Sequence, residues 1–132
     1  MNYFSSLAKL FSIVFFLYTP LFADNTTDTE PLYDRVYRSD RIADSYHFFM
    51  MSKNGTFYYL HTNKASSLTV SELKSPNIID ILDKKQSWGQ AFPSQGEYTQ
   101  KSGKFYTQRY WDQIQILNSQ KIKYLNKVFI LQ

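Results

Sequence analysis

His47 and His61 are the only histidines in the chain, and with no cysteine present they bound its acid–base and metal chemistry. They fall in two aromatic stretches, residues 45–52 (SYHFFMMS) and 56–62 (TFYYLHT), separated by Lys53-Asn54-Gly55. If the chain reverses through Asn54-Gly55 alone, His47 stands opposite Thr62 and the imidazoles point to opposite faces of the sheet. If it reverses through the three residues Lys53, Asn54 and Gly55, the imidazoles oppose each other directly, because strand side chains alternate with a period of two. Two imidazoles alone do not close a metal site, which takes three or four protein ligands. No Asp, Glu or Cys completes one at recognisable spacing, so neither a metal nor another cofactor is expected.

Nucleophilic catalysis has no better foothold. A serine nucleophile on a strained turn would read G-x-S-x-G, and that motif is absent. A carboxylate pair would need two acids across a cleft. Glu72, Glu97 and Asp112 each sit near the end of an expected helix or strand, where a cap or turn role accounts for them. The glycines at 55, 89, 96 and 103 are isolated, so no phosphate-cradling loop is present. The chain is expected not to be an enzyme.

Aromatic residues are the remaining signal, with 11 Tyr, 11 Phe and 2 Trp. In a small barrel, half of those on strands would point inward. They could pack as a core, line a cavity for an apolar or ring-bearing ligand, or form an exposed face for a protein or glycan partner. The cavity reading selects Tyr58, Tyr106, Tyr110 and Trp111 as ligand-binding residues. Trp88-Gly89 reads either as a lid hinge or as the glycine that ends a helical region.

The elements that must position these side chains follow from local pattern. Residues 33–41 alternate weakly and suit a first strand. Residues 45–52 and 56–62 form a β-hairpin, with Asn-Gly supplying the positive φ angles of a type I′ turn. Both of these strands are apolar on both faces, which predicts that both faces are covered. Thr69 and Glu72 have capping-box spacing. Ser75-Pro76 offers a helix start, and Ile78, Ile79 and Leu82 make an apolar stripe, so one inserted helix is expected at about 75–86. Residues 86–95 read as an exposed loop. Residues 96–101 and 104–111 flank a Ser102-Gly103 turn. In the second of these, Phe105, Thr107, Arg109 and Trp111 share one face, and Tyr106, Gln108 and Tyr110 the other. Residues 113–117, 121–125 and 128–131 complete an antiparallel meander.

Residues 1–23 read as a secretory signal peptide, with Lys9 before an apolar run of 13 residues, Leu10 to Phe22, and Ala23 at the cut. A spanning helix needs about 20 residues, so a retained anchor is the second reading. Residues 24–32 read as a flexible linker and 33–132 as a single β-rich domain. Residues 24–50 hold six acids and three bases, and residues 51–132 hold five acids and eleven bases. The bases are spread singly, which suits a solvated, edge-protected sheet and gives no nucleic-acid signal.

The run Asn54-Gly55-Thr56-Phe57-Tyr58, followed by Gly96-Glu97-Tyr98 and Ser102-Gly103-Lys104, resembles the small bacterial lipocalin-like secreted domains of calycin type. The resemblance covers about residues 37–131. It implies a small closed or half-open antiparallel barrel with the helix inserted over an open end or face. Together these readings predict an exported, periplasmic or extracellular, non-enzymatic module that binds a small apolar or aromatic ligand or an envelope component. The alternative is a surface protein–protein interaction or enzyme-inhibitor protein. The expected partners are a small apolar ligand or an envelope protein, not nucleic acid, and a membrane only through an uncleaved N-terminal segment.

Overall fold

The computed structural model describes residues 30–108 and 111–132. The expected signal peptide and most of the expected linker lie outside the described residues. Eight strands follow in chain order: β1 (Tyr37–Ser39), β2 (Tyr46–Met51), β3 (Thr56–Thr62), β4 (Ala91–Lys101), β5 (Lys104–Thr107), β6 (Asp112–Asn118), β7 (Lys121–Tyr124) and β8 (Lys127–Leu131). Each pairs antiparallel with the next, and β8 returns to β1, closing a barrel. This is the mainly β meander expected from the strand rhythm, and it is consistent with the lipocalin-like resemblance.

The hairpin between β2 and β3 turns through three residues. Ser52 N donates to Thr56 O at 2.8 Å and Gly55 N to Ser52 O at 3.2 Å. Only Gly55 takes a positive φ, at 95°. Asn54 contributes through its side chain, whose Oδ1 accepts from Thr56 N at 3.1 Å. The expected type I′ turn is therefore replaced by the longer loop, and the register pairs His47 directly with His61.

Two helices, not one, separate β3 from β4: α1 (Val70–Lys74) and α2 (Ile78–Lys85). The Thr69–Glu72 box is complete, with Glu72 N donating to Thr69 Oγ1 and Thr69 N to Glu72 Oε1, so it nucleates a helix of its own. Pro76 disfavours the helical region at Ser75, which is extended and ends α1. The Ser75 hydroxyl then accepts from Asn77 N, and α2 begins at Ile78, later than the Ser75-Pro76 start implied.

Hydrophobic burial forms two clusters, one on each side of the β2–β3 wall. Phe49, Phe57, Phe105, Ile122, Tyr124 and Phe129 fill the barrel interior. Phe48, Met50 and Leu60 point outward and are covered by Leu73, Ile78 and Leu82 of the helices. The double-sided apolar pattern of β2 and β3 has this cause. The helices cover a face of the barrel, not an open end.

Three strands differ from the sequence reading by more than one residue at an end. β1 is shorter than 33–41. β4 begins at Ala91, inside the stretch expected as a loop, because Pro93 obscures it. Its partner Leu60 hydrogen-bonds toward β2, so the pair needs no Pro93 N–H. β5 stops at Thr107, where Gln108 takes a φ of 48° and Trp111 N donates back to Gln108 O at 3.4 Å. Trp111 thus leaves the face it was expected to share with Phe105 and Thr107.

Candidate functional site

At the upper end of the barrel β1, β3, β5 and β7 finish and β2, β4, β6 and β8 begin. Here the interior turns from apolar to polar. Counting the ladder from the Ser52–Thr56 pair, His47 and His61 form a non-hydrogen-bonded pair, the type that brings side chains closest. Their rings stack with centroids 4.4 Å apart and planes within 8°. His47 Nδ1 shares a hydrogen bond with the Tyr59 hydroxyl, and its backbone N–H donates to Ser39 Oγ at 3.1 Å. Tyr59 meets Tyr124 edge to face, and the Tyr124 hydroxyl pairs with Thr107 Oγ1 at 3.2 Å.

His47, Tyr59 and Tyr124 are uncharged at neutral pH. Burial, reinforced by His61 and Lys127, lowers His47 to about 4. Burial raises Tyr59 to about 12, and it raises Tyr124 against the opposing bond from Thr107. An imidazole held so low, with its Nδ1 already engaged, is a weak base near neutrality. The phenols stay protonated and donate hydrogen bonds. Among the described residues no three of His, Asp and Glu converge on a metal-sized site. The arrangement can seal a barrel mouth and hold it in one geometry.

The rim around this mouth carries exposed apolar residues beside charged ones such as Arg41 and Asp44. Each of its four connections presents a large exposed hydrophobic residue: Ile42 between β1 and β2, Trp88 between β3 and β4, Trp111 between β5 and β6, and Leu125 between β7 and β8. Phe92, at the start of β4, adds a fifth. Trp111 is 85%, Trp88 67% and Phe92 55% exposed. Phe92 lies on the His61 side of its strand, with ring centroids 5.6 Å apart. Left-handed backbone at Ala43, Asp44, Gln108, Leu125 and Asn126 shapes three of these tight connections.

Of the residues singled out from sequence, the three described ones are not brought together. Tyr58 sits on the outer wall of β3 in the helix-covered cluster. Tyr106 lies half-buried on the outside of β5, since Phe105 and Thr107 take the inward positions. Trp111 stands in solvent beside a shallow depression that Tyr124 and Leu125 also line. Tyr110 lies outside the described residues. The inward aromatic positions belong instead to Tyr37, Tyr59, Tyr98 and Tyr124. The signal that finds them is parity with Phe49 and Phe57, once the three-residue turn fixes the register.

A groove opens beside the rim, between the β1–β2 loop and the connection from β3 to β4, with a volume of about 470 Å³. Tyr46 and Trp88 supply its aromatic surfaces, and Arg41, Asp44, Asn63 and Gln86 its polar ones. Compared with known proteins, the chain matches no family model, no curated protein and no solved structure.

Proposed function

We propose that this protein is an exported, non-enzymatic binding module that engages an envelope component through the outer surface of one end of a filled, lipocalin-like barrel. The observation that carries the reading is the set of exposed apolar residues on all four connections of the upper end. Isolated exposed hydrophobics need no explanation, but one or more large ones on every connection at one end of a barrel suit a surface that meets a partner. Export rests on the character of residues 1–23. The packed interior supports action from the outside. Phe49 touches Phe57, Tyr124 and Phe129 at ring distances of 5.1–6.0 Å, and all four rings are 5% exposed or less.

The test is native mass spectrometry of the protein purified from its own host. The expected result is the bare polypeptide. A non-covalent apolar molecule released on denaturation would overturn this reading in favour of a carrier with an internal site. Photo-crosslinking separates the two ends: a probe at position 111 is expected to capture an envelope component, and a probe at position 102, on the opposite end, is not.

A further inference from the structure

We infer that the groove beside the upper rim is a binding site for a neutral saccharide, a segment of an envelope glycan. The inference rests on the outer-surface reading above and deepens it by naming a ligand class. Its volume of about 470 Å³ falls within the range of roughly 300–1,000 Å³ that small-molecule sites occupy.

Charge does not favour an anionic ligand. Among the described residues three cations line the groove, and each already pairs with a carboxylate. Arg41 pairs with Asp44 at 3.3 Å, Lys64 pairs with Asp83, and Lys85 pairs with Glu72 at 2.8 Å. Lys64 is buried, and its ammonium also donates to the Gln86 carbonyl at 3.2 Å, so it is committed to the groove floor. Arg38 adjoins the groove, its guanidinium 4.5 Å from the Tyr46 ring centroid and bonded to the Ser66 carbonyl at 2.6 Å. An incoming phosphate or carboxylate would have to share these cations with the resident acids. The groups left over are neutral or balanced: the amides of Asn63 and Gln86, two serine hydroxyls, and the exposed Arg41–Asp44 pair, which offers donors and acceptors together. Polar groups of this kind suit the hydroxyls of a sugar. The exposed Trp88 indole offers a flat apolar surface for the C–H face of a pyranose ring.

The position of Trp88 is built by its neighbours. Gly89 takes a φ of 101°, and a Cβ there would overlap the Asn63 amide. Asn63 Oδ1 in turn accepts from Gln90 N at 2.8 Å. Only glycine lets the loop lie against Asn63 with the indole at the groove edge. Of the two sequence readings of Trp88-Gly89, lid hinge or helix-ending glycine, neither accounts for this close approach of Gly89 to Asn63.

The test is an NMR titration of the full chain with maltotriose, cellotriose and N,N′,N″-triacetylchitotriose, each to about 20 mM, well above the millimolar dissociation constants that correspond to about 4 kcal/mol. At least one sugar is expected to shift the side-chain amides of Asn63 and Gln86 saturably. Trp88→Ala should weaken that binding about tenfold or more. Gly89→Ala, which keeps the indole but moves it, should also weaken it, and Trp111→Ala should leave it unchanged. Inorganic phosphate should produce no shift at these amides. Silence with all three sugars, binding that survives Trp88→Ala, or a saturable phosphate shift overturns the inference. A silent titration alongside specific crosslinking from position 111 sinks the saccharide alone. An internal ligand in the mass spectrum sinks the outer-surface reading beneath it.

Discussion

The two ends of the barrel are closed by the same kind of residue used in opposite ways. At the lower end, tyrosine hydroxyls stitch the turns to the barrel. Tyr37 OH accepts from Leu32 N and donates to the Ser119 carbonyl, and Tyr98 OH donates to the Ser52 carbonyl. The lower turns themselves are polar: Lys53-Asn54-Gly55, Ser102-Gly103 and Ser119-Gln120. At the upper end, Tyr59 and Tyr124 bond to the side chains of His47 and Thr107, and the connections above them carry Ile42, Trp88, Trp111 and Leu125 in solvent. The lower end ties its turns to the barrel through backbone groups and presents polar turns, with Leu32 and Leu117 exposed beside them. The upper end completes its polar network inside and leaves its apolar groups outside. On the proposed reading, stability and recognition are thereby separated along the barrel axis.

The largest effect expected from this division lies at its base. Phe49 is fully buried between Phe57, Tyr124 and Phe129. Phe49→Ala removes a ring from a site that cannot collapse around it, and should cost about 4 kcal/mol in urea unfolding. A loss below about 1 kcal/mol would mean a loosely filled interior, and the contrast between a solid barrel and an active rim would dissolve.

A second, smaller effect tests the upper network through pH. The folded barrel holds His47 at about 4, against 6.5 for the free side chain. As pH falls, the unfolded chain takes up the proton first. The stability due to keeping His47 neutral is therefore fully present above pH 6.5 and is lost as the pH drops toward 4. The loss should approach about 2 kcal/mol, discounted from about 1.4 kcal/mol per pKa unit because the ring lies near the mouth. Asp34 and Glu72, whose carboxyls are lowered chiefly by bonds to Lys74 and Lys85, add their own loss in more acid solution. The measurement is therefore a difference: the urea midpoint of the wild type minus that of His47→Gln, followed from pH 7 to pH 4.5. A difference that does not change with pH would show that His47 titrates freely and that the upper end is open.

Much of this architecture was legible in the chain, and the parts that were not have physical reasons. The β2–β3 hairpin announced itself through two aromatic runs around Asn54-Gly55, and its covered faces through apolar residues at both parities. The meander from Lys104 to Leu131 followed from short alternating runs between polar turns. The start of β4 stayed hidden because Pro93 argues against a strand wherever the pairing pattern is unknown. The end of β5 turns on a left-handed Gln108, a conformation no sequence rule assigns to glutamine. The facing of the two histidines depended on whether the hairpin loop held two or three residues, and Asn-Gly permits both. That one-residue ambiguity also decides which tyrosines face inward. The rim was least legible of all, because an exposed tryptophan and a buried one are spelled the same way.

The smallest expected effect is the one that most sharpens the comparison. Trp111 is 85% exposed, so the double variant Trp111→Ser/Leu125→Ser deletes two apolar rim groups with almost no packing around the indole. Its urea midpoint should match the wild type to within about 0.5 kcal/mol, the range of ordinary surface substitutions. Its retention on a phenyl-substituted matrix should fall, because the removed groups are exposed apolar groups of the rim. If the pair instead destabilises the fold by more than about 1 kcal/mol, Trp111 and Leu125 act as a roof over Tyr124 and the histidine network. The upper end would then be a second structural cap, and the asymmetry from which function was argued would disappear.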